Sequence, residues 1–199
     1  MEKCESLDIV IQNLLDENVV GFPTETVYGL AIISDSIKAF NNLAKLKNRP
    51  IDKPLTVMVD SIDKIYELAH INNKQKKIIE NLMPGPITII VKAKNNLPYT
   101  MNLGSKYLGI RIPNHAVALE ILRKIKKPLL VTSANLSSQK ALTKYSEVYD
   151  LFKDNIKVYV KEDSKETVAS TIVDLTQEEP KLIREGKITL KQILKYWEE

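Results

Sequence analysis

Hydroxyl, carboxylate and amide side chains directly follow two short apolar runs in this chain. Pro23-Thr24-Glu25-Thr26 comes after Val19–Phe22, and Thr132-Ser133-Ala134-Asn135 after Leu129–Val131. Polar groups just past a buried strand sit in the crevice where α/β proteins bind ligands. Serine and asparagine placed there can donate to phosphate or ribose oxygens. The plainer alternative for both clusters is a strand-to-turn exit with a hydroxyl cap or an Asx turn.

Cations supply the other half of the chemistry. Lys47 and Arg49 are two apart, so an extended backbone points them to one side. Pro50 and Pro54 stiffen the loop they share with Lys53. Arginine offers phosphate a bidentate fork and lysine a compact point charge; a solvated basic loop is the alternative. Arg111 stands inside the apolar run Leu108–Ile112. In a covered strand its charge demands an anionic partner, whereas on an edge strand it faces water. Ser170-Thr171-Ile172-Val173-Asp174 and Ile183-Arg184-Glu185-Gly186 are individually ordinary, a β-branched strand and a turn glycine. Their shared placement, beside several separate strands, argues for a cleft that takes a carboxylated, phosphate-bearing ligand.

Several chemistries are absent. There is no G-x-G-x-x-G and no G-x-x-x-x-G-K-[ST], so neither common nucleotide fingerprint is present. No G-x-S-x-G elbow points to a hydrolase. The two histidines, His70 and His115, have no ligand-like spacing. His70 reads as a surface or capping residue, and His115 starts a helix from which it can approach a site. Cys4 is the only cysteine, which excludes an intrachain disulfide and a cysteine-rich zinc site. No metal site within the chain is expected, and the expected compartment is reducing and cytoplasmic. No apolar run nears the roughly 20 residues that span a bilayer. A formal charge of +4 points only weakly to anionic partners.

The elements that must position these residues alternate in type. Apolar periodicity predicts helices over 7–15, 34–46 (capped by Ser34 or Asp35), 62–69, 73–82, 115–125, 143–152 and 189–197, the last capped by Thr189. Strands are expected over 19–22, 54–59, 87–91, 108–112, 128–132, 158–160, 168–175 and 181–183. Met83-Pro84-Gly85-Pro86 is a turn. The pattern predicts a single α/β domain over 1–199 with a mixed sheet, and the β-branched runs suit strands covered on both faces.

Seven blocks in register carry a family resemblance. Phe22-Pro23-Thr24-Glu25-Thr26-Val27-Tyr28-Gly29-Leu30, Lys47-x-Arg49-Pro50 with Lys53-Pro54-Leu55, and Pro84-Gly85-Pro86-Ile87-Thr88 resemble the YrdC-like threonylcarbamoyl-AMP synthases. So do Gly109-Ile110-Arg111-Ile112-Pro113, Thr132-Ser133-Ala134-Asn135-Leu136-Ser137, Ser170-Thr171-Ile172-Val173-Asp174 and Arg184-x-Gly186. The resemblance implies a YrdC-type α/β fold, with a twisted mixed open sheet, flanking helices and a central cationic cavity. It implies a nucleotidyltransferase that makes threonylcarbamoyl-AMP and pyrophosphate from L-threonine, bicarbonate and ATP with Mg²⁺. A separate threonylcarbamoyl transferase complex would then modify tRNA, and contact with tRNA itself is a further expectation. By motif, Thr26, Arg111 and Ser170 would bind L-threonine. Lys47, Arg49, Lys53, Ser133, Asn135 and Arg184 would bind ATP, with Lys47 and Arg49 offsetting the charge that builds on the phosphates during catalysis.

Three departures from the family pattern stand out. Ser138 occupies a position where many members have glycine, and Glu166-Thr167 lies where another glycine is usual. The extra C-terminal domain of longer relatives is expected to be lacking. Two other readings compete: an RNA-binding module of the same fold, and a paralogue with another carbamoyl or nucleotide substrate. The basic groups Lys74, Lys76, Lys77 and Arg123, Lys124, Lys126, Lys127 lack interleaved aromatics, which favours solvated helix faces over an RNA platform.

Overall fold

The computed structural model describes residues 6–165 and 168–198. In chain order the first half comprises α1 (Leu7–Leu15), β1 (Val20–Phe22), β2 (Gly29–Ile33), α2 (Ile37–Leu46), β3 (Thr56–Met58), α3 (Ile62–Leu68), β4 (Ala69–His70), α4 (Asn73–Leu82) and β5 (Ile87–Ala93). The second half comprises α5 (Tyr99–Asn102), β6 (Tyr107–Arg111), α6 (Ala116–Ile125), β7 (Leu129–Ser133), α7 (Tyr145–Phe152), β8 (Val158–Tyr159), β9 (Thr171–Asp174), β10 (Lys181–Arg184) and α8 (Leu190–Glu198). A short 3₁₀ turn, Lys153–Asn155, follows α7.

All the described strands join one open sheet in the order β10-β9-β5-β6-β3-β7-β2-β1-β8, with β4 beside β5. Pairing is mixed: β1–β8, β3–β6 and β5–β9 are parallel, and the other pairs antiparallel. Side chains alternate across β2. Leu30 and Ile32 join the cluster that includes Phe40 and Leu43 of α2, while Ala31 and Ile33 join Val10, Leu14 and Ile121 of α1 and α6. Every residue of β2 is buried, as expected for a strand covered on both faces.

Three elements escape the periodicity: β2, which begins at a glycine inside a polar-looking motif, and the short β4 and α5. Helix α2 begins later than the pattern suggests. Its cap is Ser36, whose Oγ accepts from Ala39 N at 3.0 Å, rather than Ser34 or Asp35. Ser34 is buried instead, and its carbonyl accepts from Thr100 Oγ1. Thr189 caps α8 as expected, in a reciprocal box with Gln192. His70 is exposed, but it belongs to β4 and pairs with Lys92.

Among the described residues no helix is long and apolar enough to cross a membrane. The basic groups on α4, and on and just after α6, are partly neutralised. Lys76 meets Glu80, Lys124 meets Asp8, Lys127 meets Asp35, and Lys74 lies over the Trp197 ring.

Candidate active site

The sheet brings the polar clusters to one cavity. Register pairs Phe22 with Gly29, Gly29 with Ser133, and Met58 with Arg111. Further along, Ile87 pairs with Thr171, next to Ser170. The cavity is lined by Thr24, Thr26, Arg49, Arg111, Ser133, Ser170 and Arg184, among others. A larger groove, by His70, Lys92, Lys106 and Tyr107, is lined by none of the residues expected to bind ligand.

At one end, hydroxyl protons have a fixed direction. Thr24 Oγ1 donates its only proton to Val27 O at 2.7 Å. Its 2.9 Å contact with Thr26 Oγ1 must therefore be a bond donated by Thr26. Thr26 Oγ1 in turn accepts from Arg111 Nη2 at 3.1 Å. With its proton committed, Thr26 has only acceptor capacity left, which suits a ligand N–H.

Arg111 is 6% exposed, so its strand is covered and its charge needs compensation. Glu25 provides it, with Oε1 2.7 Å from Arg111 Nη2. Sequence reading flagged Glu25 within the Thr24–Thr26 cluster but gave it no role, because the pair joins residues 25 and 111. His115 is also buried, at the N-terminal end of α6, with Nε2 3.5 Å from Glu162 Oε1. Burial holds its imidazole below the usual histidine range, against the opposing fields of Glu162 and Glu25.

Ser170 and Arg184 form a second unit. Arg184 Nε and Nη2 both donate to Ser170 O, at 3.0 and 2.8 Å, and Nη2 reaches Ser170 Oγ at 3.2 Å. Thr88 Oγ1 lies 3.2 Å from the same Ser170 hydroxyl. Gly186 lets these strands close. A Cβ there would clash with the Ala169 carbonyl and stand 2.5 Å from Thr171 N. Burial, with the neighbouring Arg111 charge, lowers the pKa of Arg184 below the ordinary arginine value.

The third unit lies behind the wall. Lys47, at the C-terminal end of α2, is 2% exposed. Its Nζ donates to Ser133 O and, at 3.2 Å, to Asn135 Oδ1. Asn135 Oδ1 also accepts from Ser133 Oγ at 2.5 Å, and its amide donates to Leu136 O and Gln139 O. Burial, reinforced by the Arg49 charge, lowers the Lys47 pKa to about 7. Lys47 O accepts from Ser137 N, tying the two loops again.

Arg49 lines the cavity, and its Nη2 donates to Pro54 O at 2.9 Å. Burial lowers its pKa too, against the field of Asp52. Six expected residues thus meet at the wall: Thr26, Arg49, Arg111, Ser133, Ser170 and Arg184. Lys47 and Asn135 clamp that wall from behind, and Lys53 is exposed and not among the lining residues. Ser138 adopts φ 69°, the left-handed region that favours glycine. The Glu166-Thr167 departure lies outside the described residues.

A twisted mixed α/β sheet with hydroxyls and arginines converging on one face defines a ligand-binding α/β protein. Comparison with known proteins narrows this. Residues 12–186 match the Sua5–YciO–YrdC family model, described as telomere recombination. The chain belongs to the Sua5–YciO–YrdC family. It is 32% identical over 181 residues to the threonylcarbamoyl-AMP synthase of Pyrococcus abyssi, covering 89% of this chain and 53% of that protein. It is 30% identical over 157 residues to the Klebsiella pneumoniae threonylcarbamoyl-AMP synthase, covering 77% and 83%. The crystal structure of P. abyssi Sua5 complexed with L-threonine superposes with a TM-score of 0.90 at 29% identity, over 96% of this chain and 56% of that one. The chain therefore spans about half the length of the first of these relatives.

Proposed function

We propose that this chain is a threonylcarbamoyl-AMP synthase, a nucleotidyltransferase that converts L-threonine, bicarbonate and ATP to threonylcarbamoyl-AMP, pyrophosphate and water. One observation carries the reading: Thr26, Arg111 and Ser170 share a cavity with Arg49, Ser133 and Arg184. The first three suit an amino acid. Arg111 faces its carboxylate, Thr26 accepts from its amine, and Ser170 supplies a hydroxyl. The other three suit a phosphate chain and ribose. Lys47 and Asn135 serve the nucleotide by fixing Ser133, and Lys53 joins from the exposed loop. Relatives named as threonylcarbamoyl-AMP synthases support the same reading.

The threonine amine attacks the carbon of bicarbonate or carbon dioxide, giving a carbamate. A carbamate oxygen then attacks the α-phosphorus, and the bond from that phosphorus to the α,β-bridging oxygen breaks, so pyrophosphate leaves with the bridging oxygen. A carbamate reverts readily, so holding both reactants in one water-poor cavity contributes much of the rate. Arg49, with Lys47 behind it, offsets the charge that builds on the phosphates. Mg²⁺ would arrive on the nucleotide and help offset the phosphate charge there. The product passes to a tRNA-modifying transferase complex in the cytoplasm. Residues 1–199 act as one domain, since one sheet carries the described strands.

Calorimetric titration of ligands into variants tests the assignment. Arg111→Ala is expected to abolish threonine binding and spare ATP, and Lys47→Ala to weaken ATP and spare threonine. Equal losses of both ligands in both variants would overturn it.

A further inference from the structure

A second groove opens on the same sheet face as the cavity. Side chains alternate along a strand, so Tyr107, Gly109 and Arg111 of β6 share one face. Thr88, Ile90 and Lys92 of β5 share it too, because register pairs Ile90 with Gly109 and Lys92 with Tyr107. Arg111 lines the cavity, Lys92 and Tyr107 line the groove, and the two have no lining residue in common. Four residues of β6, about 13 Å of extended chain, separate them.

The groove holds about 550 Å³ and combines cations with an aromatic ring. His70 pairs with Lys92 across β4 and β5, and Lys92 with Tyr107 across β5 and β6. Directly opposite residues sit side by side, so imidazole, ammonium and phenol form a row. Lys106, just before β6, also lines the groove. Among the described residues neither lysine has a carboxylate within ion-pair distance, unlike Lys64, Lys76, Lys124 and Lys127. Tyr107 is 42% exposed. Asp174, which pairs with Ile90, is turned to Thr176, whose N and Oγ1 donate to its Oδ1, and it does not line the groove. One wall is fixed by buried Gln75. Its Oε1 accepts from Asn72 N at 3.0 Å and its Nε2 donates to Leu175 O at 2.7 Å. That side chain joins the start of α4 to the loop after β9, so the groove is preformed.

We propose that this groove is a second ligand site that takes a mononucleotide, its phosphate on Lys92 and Lys106 and its base stacked on Tyr107. Two unpaired ammonium groups suit one phosphate, and an exposed phenol ring offers a π-face to any base. The volume is that of a small-molecule site. A path for single-stranded nucleic acid needs successive aromatic platforms. Tyr107 is the only tyrosine, phenylalanine or tryptophan among the lining residues. The site does not depend on the proposed function; only the choice of nucleotide does. On that reading AMP is expected, because an acceptor N–H that attacks the carbamoyl carbon gives up its proton and expels AMP with the bridging oxygen.

The test photolabels the whole chain with azido-AMP and maps the labelled peptides. Label is expected on the peptide that carries Tyr107, and unlabelled AMP should protect it. Lys92→Gln combined with Lys106→Gln changes two exposed side chains. It should lower that labelling about ten-fold and leave any label at the cavity unchanged. AMP should protect at about ten-fold lower concentration than ribose phosphate, which lacks the base. Label confined to peptides carrying Arg49, Ser133 or Arg184 overturns the proposal, as does labelling unchanged in the double variant or equal protection by ribose phosphate. Protection by single-stranded oligoadenylate that strengthens steadily with length also overturns it, in favour of a strand-binding path. Intact labelling at Tyr107 without threonine-dependent pyrophosphate release upholds this site and counts against the proposed function alone.

Discussion

Lys47 and Asn135 are 88 positions apart in sequence, yet Lys47 Nζ stands 3.2 Å from Asn135 Oδ1. The same Nζ donates to Ser133 O, so one buried ammonium joins the end of α2 to the loop after β7. The nucleotide end of the proposed site depends on this clamp, because Ser133 is held through it.

Stability should record the cost of burying that charge. Lys47 falls from the ordinary 10.5 to about 7 on folding, so between these values the unfolded chain binds the extra proton. Its contribution to unfolding free energy therefore rises with pH from about 7 to about 10.5 and is flat and unfavourable below that window. Urea unfolding of the parent chain and Lys47→Met at about pH 6.5, 8 and 9.5 checks this. The stability difference, parent minus variant, is expected to grow steadily across the series.

Gly186 is expected to be intolerant of any side chain. A methyl group there meets the backbone of Ala169 and Thr171, which flank Ser170. Gly186→Ala should cost about 1–3 kcal/mol in stability. It should also weaken both threonine and ATP binding, since Ser170 and the Arg184 held on its carbonyl are displaced together. Chemical denaturation and paired titrations of both ligands measure the two effects.

Ser138 carries the opposite expectation. Its φ of 69° costs a residue with a Cβ about 1–2 kcal/mol. Glycine removes that strain but adds unfolded-state entropy, so Ser138→Gly should gain about 0.5–1 kcal/mol. A higher urea midpoint at unchanged slope is the result to look for.

Local features were the legible ones. Apolar spacing located α1 and α4 at their observed bounds, and the polar clusters after β1 and β7 stand where the cavity is. What stayed hidden depends on contacts between distant residues. Strand β2 was hidden in the motif that begins at Phe22, and its burial on both faces comes from helices before and after it. Glu25 as the partner of Arg111, and Thr88 beside Ser170, are pairings across the sheet that no spacing encodes. The need for glycine at 186 is set by backbone about 16 positions away, an approach only the folded register creates. Asn135 is a further case. Its residue type suggested a polar contact at the cavity, but no spacing encodes the side-chain bonds that tie it to Lys47, Ser133, Leu136 and Gln139.

Catalysis itself offers the most direct trial. Purified chain is supplied with ATP, Mg²⁺ and bicarbonate, and pyrophosphate release is followed with L-threonine present or omitted. Release that requires both threonine and bicarbonate, and that disappears in Arg111→Ala, is the predicted result. Release indifferent to threonine, or none at all from folded protein, would contradict a cavity that seats an amino acid beside a nucleotide.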